Sequence, residues 1–148
     1  MIWLMYRTIL VALDGSPREA GVLRAAAAIA RMSGGALHVC RAVAMPVGMP
    51  EIVWAMPGPR LDDALVDDAR RGLARSVADS PVSVVGTHVR LGQPADVVLG
   101  IATEVGADLV VIGAHGYGAI ERLLGTTASK IVHRAPCSVL VARGDAMP

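Results

Sequence analysis

No phenylalanine occurs in this chain, and aromatic residues make up only 3% of it. A core without large rings has to be filled by many mid-sized aliphatic side chains, and 53% of the residues are hydrophobic. Such a palette suits a parallel sheet buried between alanine-rich helices. Long apolar runs are missing too. The longest are strand-sized, short of the ~20 residues a spanning helix needs, which argues against a membrane protein. Basic clusters are also lacking: the formal charge is +1 and no run of lysine or arginine appears. Electrostatics therefore give no support for nucleic-acid binding. Cysteine is scarce, with only Cys40 and Cys137, each inside an apolar strand-like segment. That is the setting of buried structural thiols rather than of a disulfide framework. Residues 1–5 lack a basic leader and a cleavage site and read as a disordered or over-called start. The expected location is the cytoplasm.

Three catalytic signatures are missing as well. His38, His88, His115 and His133 fall on different predicted elements, and none shows metal-ligand spacing such as H-x3-H. No G-x-S-x-G elbow presents a serine nucleophile. No G-K-[ST] supplies a Walker lysine, and Lys130 lies a turn inside its predicted helix. Efficient ATP hydrolysis is not expected of such a set.

What is present alternates regularly. Residues 7–13 read as a first strand ending at Asp14, with Ser16 as helix N-cap and Pro17 at the first helical position. The helix runs to about Met32, and Gly34 and Gly35 stop it. A second strand covers residues 36–43. Residues 45–60 hold four prolines and three methionines and read as a long mobile loop without a regular element. A helix over 61–78 follows, acidic at Asp62 and Asp63 and basic at Arg70, Arg71 and Arg75, in keeping with the helix dipole. A third strand is expected over 82–90, a helix from Pro94 to about Val105, a fourth strand over 109–112, a helix over 128–134 and a fifth strand over 136–142. With 148 residues and no repeat, one domain spanning 1–148 is implied. The fold class is α/β: an open, doubly wound, five-stranded parallel sheet, Rossmann-like, with helices on both faces.

Two stretches carry the chemistry. Asp14 closes the first strand. The fourth strand, ending at Ile112, runs into Gly113, Gly116 and Gly118, where backbone N–H groups are open to a ligand without a Cβ in the way. Gly125, Thr126 and Thr127 then open a helix whose first N–H groups favour an anion. In doubly wound sheets ligands bind beyond the carboxyl ends of strands where the strand order reverses. Together these segments describe a phosphate cradle. Taken singly, Asp14 also suits a turn or capping residue, the glycines a tight turn, and the threonines a helix cap.

The sequence resembles the universal stress protein family over nearly its whole length. The likeness is carried by residues 9–16 (ILVALDGS), by 109–116 (LVVIGAHG), and by Gly125-Thr126-Thr127 followed by 135–141 (APCSVLV). The ATP-binding branch of that family is marked by G-x2-G-x9-G-[S/T]. Gly113, Gly116, Gly125 and Thr126 reproduce it, except that eight residues rather than nine separate Gly116 from Gly125. The resemblance implies an adenine nucleotide α-hydrolase-like fold that binds ATP together with Mg²⁺. It implies that Asp14 binds the ribose, that Ala12 and Leu13 border the adenine, and that Val39 offers its backbone to the adenine edge. Ile112, Gly113, His115 and Gly116 would approach the ribose and phosphates, and Gly125, Thr126 and Thr127 would hold the phosphates. It further implies a homodimer through the last strand, Ser138 to Ala142, with an unidentified protein reading the nucleotide state. Three roles follow in order: an ATP-dependent regulatory dimer, a stress-linked interaction module that uses no nucleotide, and a slow ATPase.

Overall fold

The computed structural model describes residues 5–45, 48, 50–55, 61–114 and 124–143. Among these residues five strands and five helices follow one another: β1 (Thr8–Ala12), α1 (Glu19–Ser33), β2 (Ala36–Val43), α2 (Glu51–Ala55), α3 (Leu61–Ala78), β3 (Val84–Leu91), α4 (Pro94–Val105), β4 (Leu109–Gly113), α5 (Thr126–Arg134) and β5 (Ser138–Ala142). All strand pairs are parallel, and the sheet order is β3-β2-β1-β4-β5. The order therefore reverses between β1 and β4, which makes that seam the switch point of a doubly wound sheet.

Alternation along each strand divides the core into two layers. Ile9, Val11, Leu13, Leu37, Val39, Leu109 and Val111 face α1 and α3, meeting Val22, Leu23, Ala26 and Leu73. Leu10, Cys40, Val110 and Ile112 face α4 and α5, meeting Val98, Ile101, Ala128 and Ile131. Ile9, Leu10 and Val11 have no exposed surface at all, as expected of a central strand covered on both sides. The small alanines of α1 let that helix lie close to the sheet, which is how a core without phenylalanine fills its space. One side chain fixes how the two halves meet: Asp108 accepts the backbone N–H groups of Arg7 at 2.9 Å and Thr8 at 3.0 Å.

Helix punctuation follows the residues. Gly34 (φ 69°) and Gly106 (φ 68°) cap α1 and α4 in the left-handed region that favours glycine. Gln93 and Pro94 open α4, as their order predicts. Several boundaries differ from expectation. Helix α5 begins at Thr126 rather than 128, and β5 at Ser138 rather than 136. Helix α1 begins at Glu19 with Arg18 as its N-cap, not with Ser16 as N-cap and Pro17 at the first helical position. Ser16 instead shapes a preceding turn, its carbonyl accepting the Glu19 N–H and its hydroxyl the Arg18 N–H. Strand β3 begins at Val84, two residues late, because the Ser80 hydroxyl binds the Val82 carbonyl in a turn. Within the stretch expected to be wholly irregular, Glu51–Ala55 forms one helical turn, α2. Pro50 can precede a helix because a proline needs no N–H partner there, and the next proline lies beyond Ala55.

Candidate functional site

Strands β1 and β4 pair in register from Ile9↔Leu109 to Val11↔Val111, so their carboxyl ends open side by side. Beyond β1, Leu13 remains buried and its N–H bonds the Cys40 carbonyl at 2.9 Å. Asp14 turns out to solvent, and one carboxylate oxygen accepts the Ser16 N–H at 2.9 Å. Gly15 takes φ 79°, a conformation that side chains resist, so the turn depends on glycine here. The carboxylate is exposed, and as an acceptor-only group it suits hydroxyl donors.

Across the seam, β4 ends at Gly113, followed by buried Ala114. The Ala114 N–H bonds the Ala142 carbonyl at 3.1 Å, and the Ala114 carbonyl accepts the Gly125 N–H at 2.8 Å. That second bond brings the start of α5 to the carboxyl end of β4. Gly125 is the helix N-cap and has no side chain to offer, so Thr126 and Thr127 expose the first-turn N–H groups and two hydroxyls. A cleft of about 120 Å³ continues from Thr127 to the start of α4, lined by Gln93, Asp96, Lys130 and Arg134. Arg134 pairs there with Asp96 at 2.8 Å. The structure thus gathers Ala12, Leu13, Asp14, Ile112, Gly113, Gly125, Thr126 and Thr127 around one end of the seam. Val39 stands apart: it is fully buried, level with Val11 and paired on its other side with Thr87. The part of β2 that extends past β1 is Arg41, Ala42 and Val43. His115 and Gly116 lie outside the described residues.

A model of the universal stress protein family matches residues 5–143. The chain belongs to the universal stress protein family. Universal stress protein A homolog 1 of Coxiella burnetii is 30% identical over 136 residues, covering 91% of this chain and 94% of that one. The structure also resembles a universal stress protein solved in complex with cAMP, at TM-score 0.65 and 26% identity, covering 95% of this chain and 99% of that one. It likewise resembles the universal stress protein from Archaeoglobus fulgidus in complex with dAMP, at TM-score 0.66 and 26% identity, covering 94% and 99%. The α/β sheet and its helices are therefore those of the family.

In this family member the sequence reading overlooked two constellations. One is a nearly buried charge pair, Arg41 on β2 and Glu19 on α1, 2.6 Å apart with side chains 12% and 16% exposed. An arginine inside the apolar 36–43 run was the available signal. The other joins two histidines treated as scattered. His38 Nδ1 and His88 Nε2 lie 3.2 Å apart across β2 and β3, on the face beneath α4. Gly86 makes room for them, since a Cβ there would stand 2.6 Å from His38 Nδ1. Burial lowers both imidazole pKa values, and for His88 the neighbouring His38 and Arg90 charges add to it. Arg90 pairs with Glu104 of α4 beside them. Among the described residues no group of three or more histidine, cysteine or acidic side chains is arranged for a metal ion. No helix among them is long and apolar enough to cross a membrane. Cys40 and Cys137 are free thiols.

Proposed function

We propose that this chain binds an adenine nucleotide at the β1/β4 seam and acts as a nucleotide-dependent regulatory dimer. One observation carries the reading. The exposed Asp14 carboxylate and the Gly113 and Gly125–Thr127 backbone occupy the same end of the one seam where the strand order reverses. An acceptor-only carboxylate suits ribose hydroxyls, and unpaired N–H groups at a helix start suit phosphate. In this reading Ala12 and Leu13 border the base and Ile112 and Gly113 the ribose and phosphates, a role the family resemblance also gives to His115 and Gly116. Val39 lies inside the sheet, so the base edge is read by backbone nearer the open end of β2. The cAMP and dAMP complexes of related proteins support the adenine preference. ATP is the ligand that the glycine pattern favours. Mg²⁺ would arrive with the phosphates, held by their oxygens, the threonine hydroxyls and water.

β5 lies at a sheet edge and, apart from exposed Ser138, is half-buried, so a second copy pairing along Ser138–Ala142 would cover an otherwise open edge. The eight-residue spacing between Gly116 and Gly125 supports a second reading, an interaction module that uses no nucleotide.

The test is the nucleotide content of the purified protein, released by denaturation and resolved by chromatography, alongside titration with Mg-ATP, AMP and cAMP. Asp14→Ala and Gly113→Val should each weaken binding by about 10- to 100-fold, the loss of one or two charge-assisted contacts. A wild-type protein that is empty and ignores millimolar amounts of all three nucleotides gives first place to the interaction module. Steady release of ADP, abolished by the same substitutions, would instead make it an ATPase.

A further inference from the structure

The turn that carries Asp14 does not stand alone. Arg41 donates from Nε to the Leu13 carbonyl at 3.1 Å and from its terminal nitrogen to Glu19 at 2.6 Å. The same Glu19 oxygen accepts the Gly15 N–H at 2.8 Å, while the other accepts the Ser76 hydroxyl of α3 at 2.5 Å. Two charged side chains thus grip both sides of Asp14, at Leu13 and Gly15, and anchor them to α3. The guanidinium fits because Gly72 faces it: a Cβ at that position would stand 3.0 Å from an Arg41 nitrogen. The ion pair is nearly buried and sits between three elements, a costly arrangement unless every polar atom finds a partner. Here the carboxylate has three partners and the guanidinium two.

We propose that Glu19 and Arg41 are positioning residues. They hold the Leu13–Ser16 turn in its ligand-binding form and couple the state of that turn to α3. The inference rests on the adenine-nucleotide reading of the seam, and goes beyond it by naming residues that touch no ligand. Arginine is required rather than lysine, because one planar fork has to serve the Leu13 carbonyl and the Glu19 carboxylate together. Nucleotide bound at Asp14 fixes the turn. Through Glu19 it fixes Ser76, and so rigidifies α3.

The experiment pairs calorimetric binding of Mg-ATP and AMP with amide hydrogen exchange, on the wild type, the double variant Glu19→Gln/Arg41→Met, Arg41→Lys and Ser76→Ala. The double variant removes both charges at once, so neither is left buried alone. Expected are binding weaker by about tenfold, equivalent to one lost charge-assisted contact, and faster exchange at Gly15. Arg41→Lys should not restore the wild-type values. Nucleotide should slow exchange along α3 in the wild type but not in Ser76→Ala, which removes the Glu19 link together with the hydroxyl's bond to the Gly72 carbonyl of the same helix. Wild-type affinity in a folded double variant overturns the positioning role while leaving the seam as the nucleotide site. Should the double variant not fold, α3 protection that persists in Ser76→Ala overturns the coupling. A wild type that binds no adenine nucleotide removes the reading itself, and the positioning role with it.

Discussion

The two sides of the seam are built differently. On the β1 side the turn after the strand is fastened by side chains: Arg41, Glu19 and Ser76 fix it from two other elements, and Asp14 closes it on Ser16. On the β4 side the described connections are backbone alone, from Ala114 to Ala142 and from Gly125 to Ala114, and α5 begins on a glycine. A turn locked by buried charge keeps its shape without a ligand, whereas a glycine-capped start leaves its N–H groups to be satisfied from outside. Under the proposed reading, the Asp14 side is thus held by side chains before any ligand binds, while the helix start at Gly125–Thr127 is the part a phosphate would satisfy.

The contrast is easiest to break by removing its strongest member. Arg41→Ala leaves the nearly buried Glu19 carboxylate without its cation and should lower stability by about 2–4 kcal/mol. Thr126→Ala, at an exposed position across the seam, should stay within about 0.5 kcal/mol. Urea denaturation of the two variants decides the matter, and equal losses would mean that both sides are held alike. Gly15→Ala is the next test. At φ 79° a Cβ meets no neighbour closer than 3.7 Å, so backbone strain of about 1–2 kcal/mol is the whole expected effect. A neutral substitution would show that the turn is not rigidly held.

Acid should sharpen the contrast from another direction. The folded His38 and His88 resist protonation below their ordinary value of 6.5, chiefly because they are partly buried. Unfolded imidazoles take up protons from that pH downward, so the unfolded chain binds more protons and stability falls as the pH drops below about 6.5. Denaturation midpoints at pH 7.5 and 5.5 should differ less in a His38→Asn/His88→Asn variant, and an unchanged difference would clear the pair of any role. The mildest probe is thiol labelling. Cys40 lies within β2 with its pKa pushed up to about 12 by burial, while Cys137 at the entry to β5 is only half-buried, its pKa raised by burial and then by Asp108. A thiol reagent at pH 8 should therefore modify Cys137 well before Cys40, and mass spectrometry of the two peptides gives the order.

Much of this was legible in the residues. Each βα unit carries its own punctuation, from the glycines at 34 and 106 to Pro94, and the unbroken apolar run at 109–112 could only be a strand covered on both faces. Asp14, Gly113 and Gly125 could be set at one end because a parallel sheet puts every strand's carboxyl end on the same side. What stayed hidden depends on which strands lie side by side. His38 and His88 are separated by 50 residues and Glu19 and Ser76 by 57, and no spacing rule connects such pairs until β2 is known to lie between β1 and β3. The one-turn helix at Glu51–Ala55 was hidden for a different reason. Prolines exclude helix only from within, so a dense cluster of them still leaves room for one turn between Pro50 and Pro57.

Asp108 has a consequence in time. It joins Thr8 across 100 residues of chain, which a ribosome making about 5–20 residues per second needs roughly 5–20 s to add. Until β4 is made, β1 can have at most β2 on one side and nothing on the other, although Ile9, Leu10 and Val11 have no exposed surface in the finished sheet. The hydrophobic centre of this protein thus spends its first seconds as an open edge, the period in which a nascent chain is most exposed to pairing with the wrong neighbour.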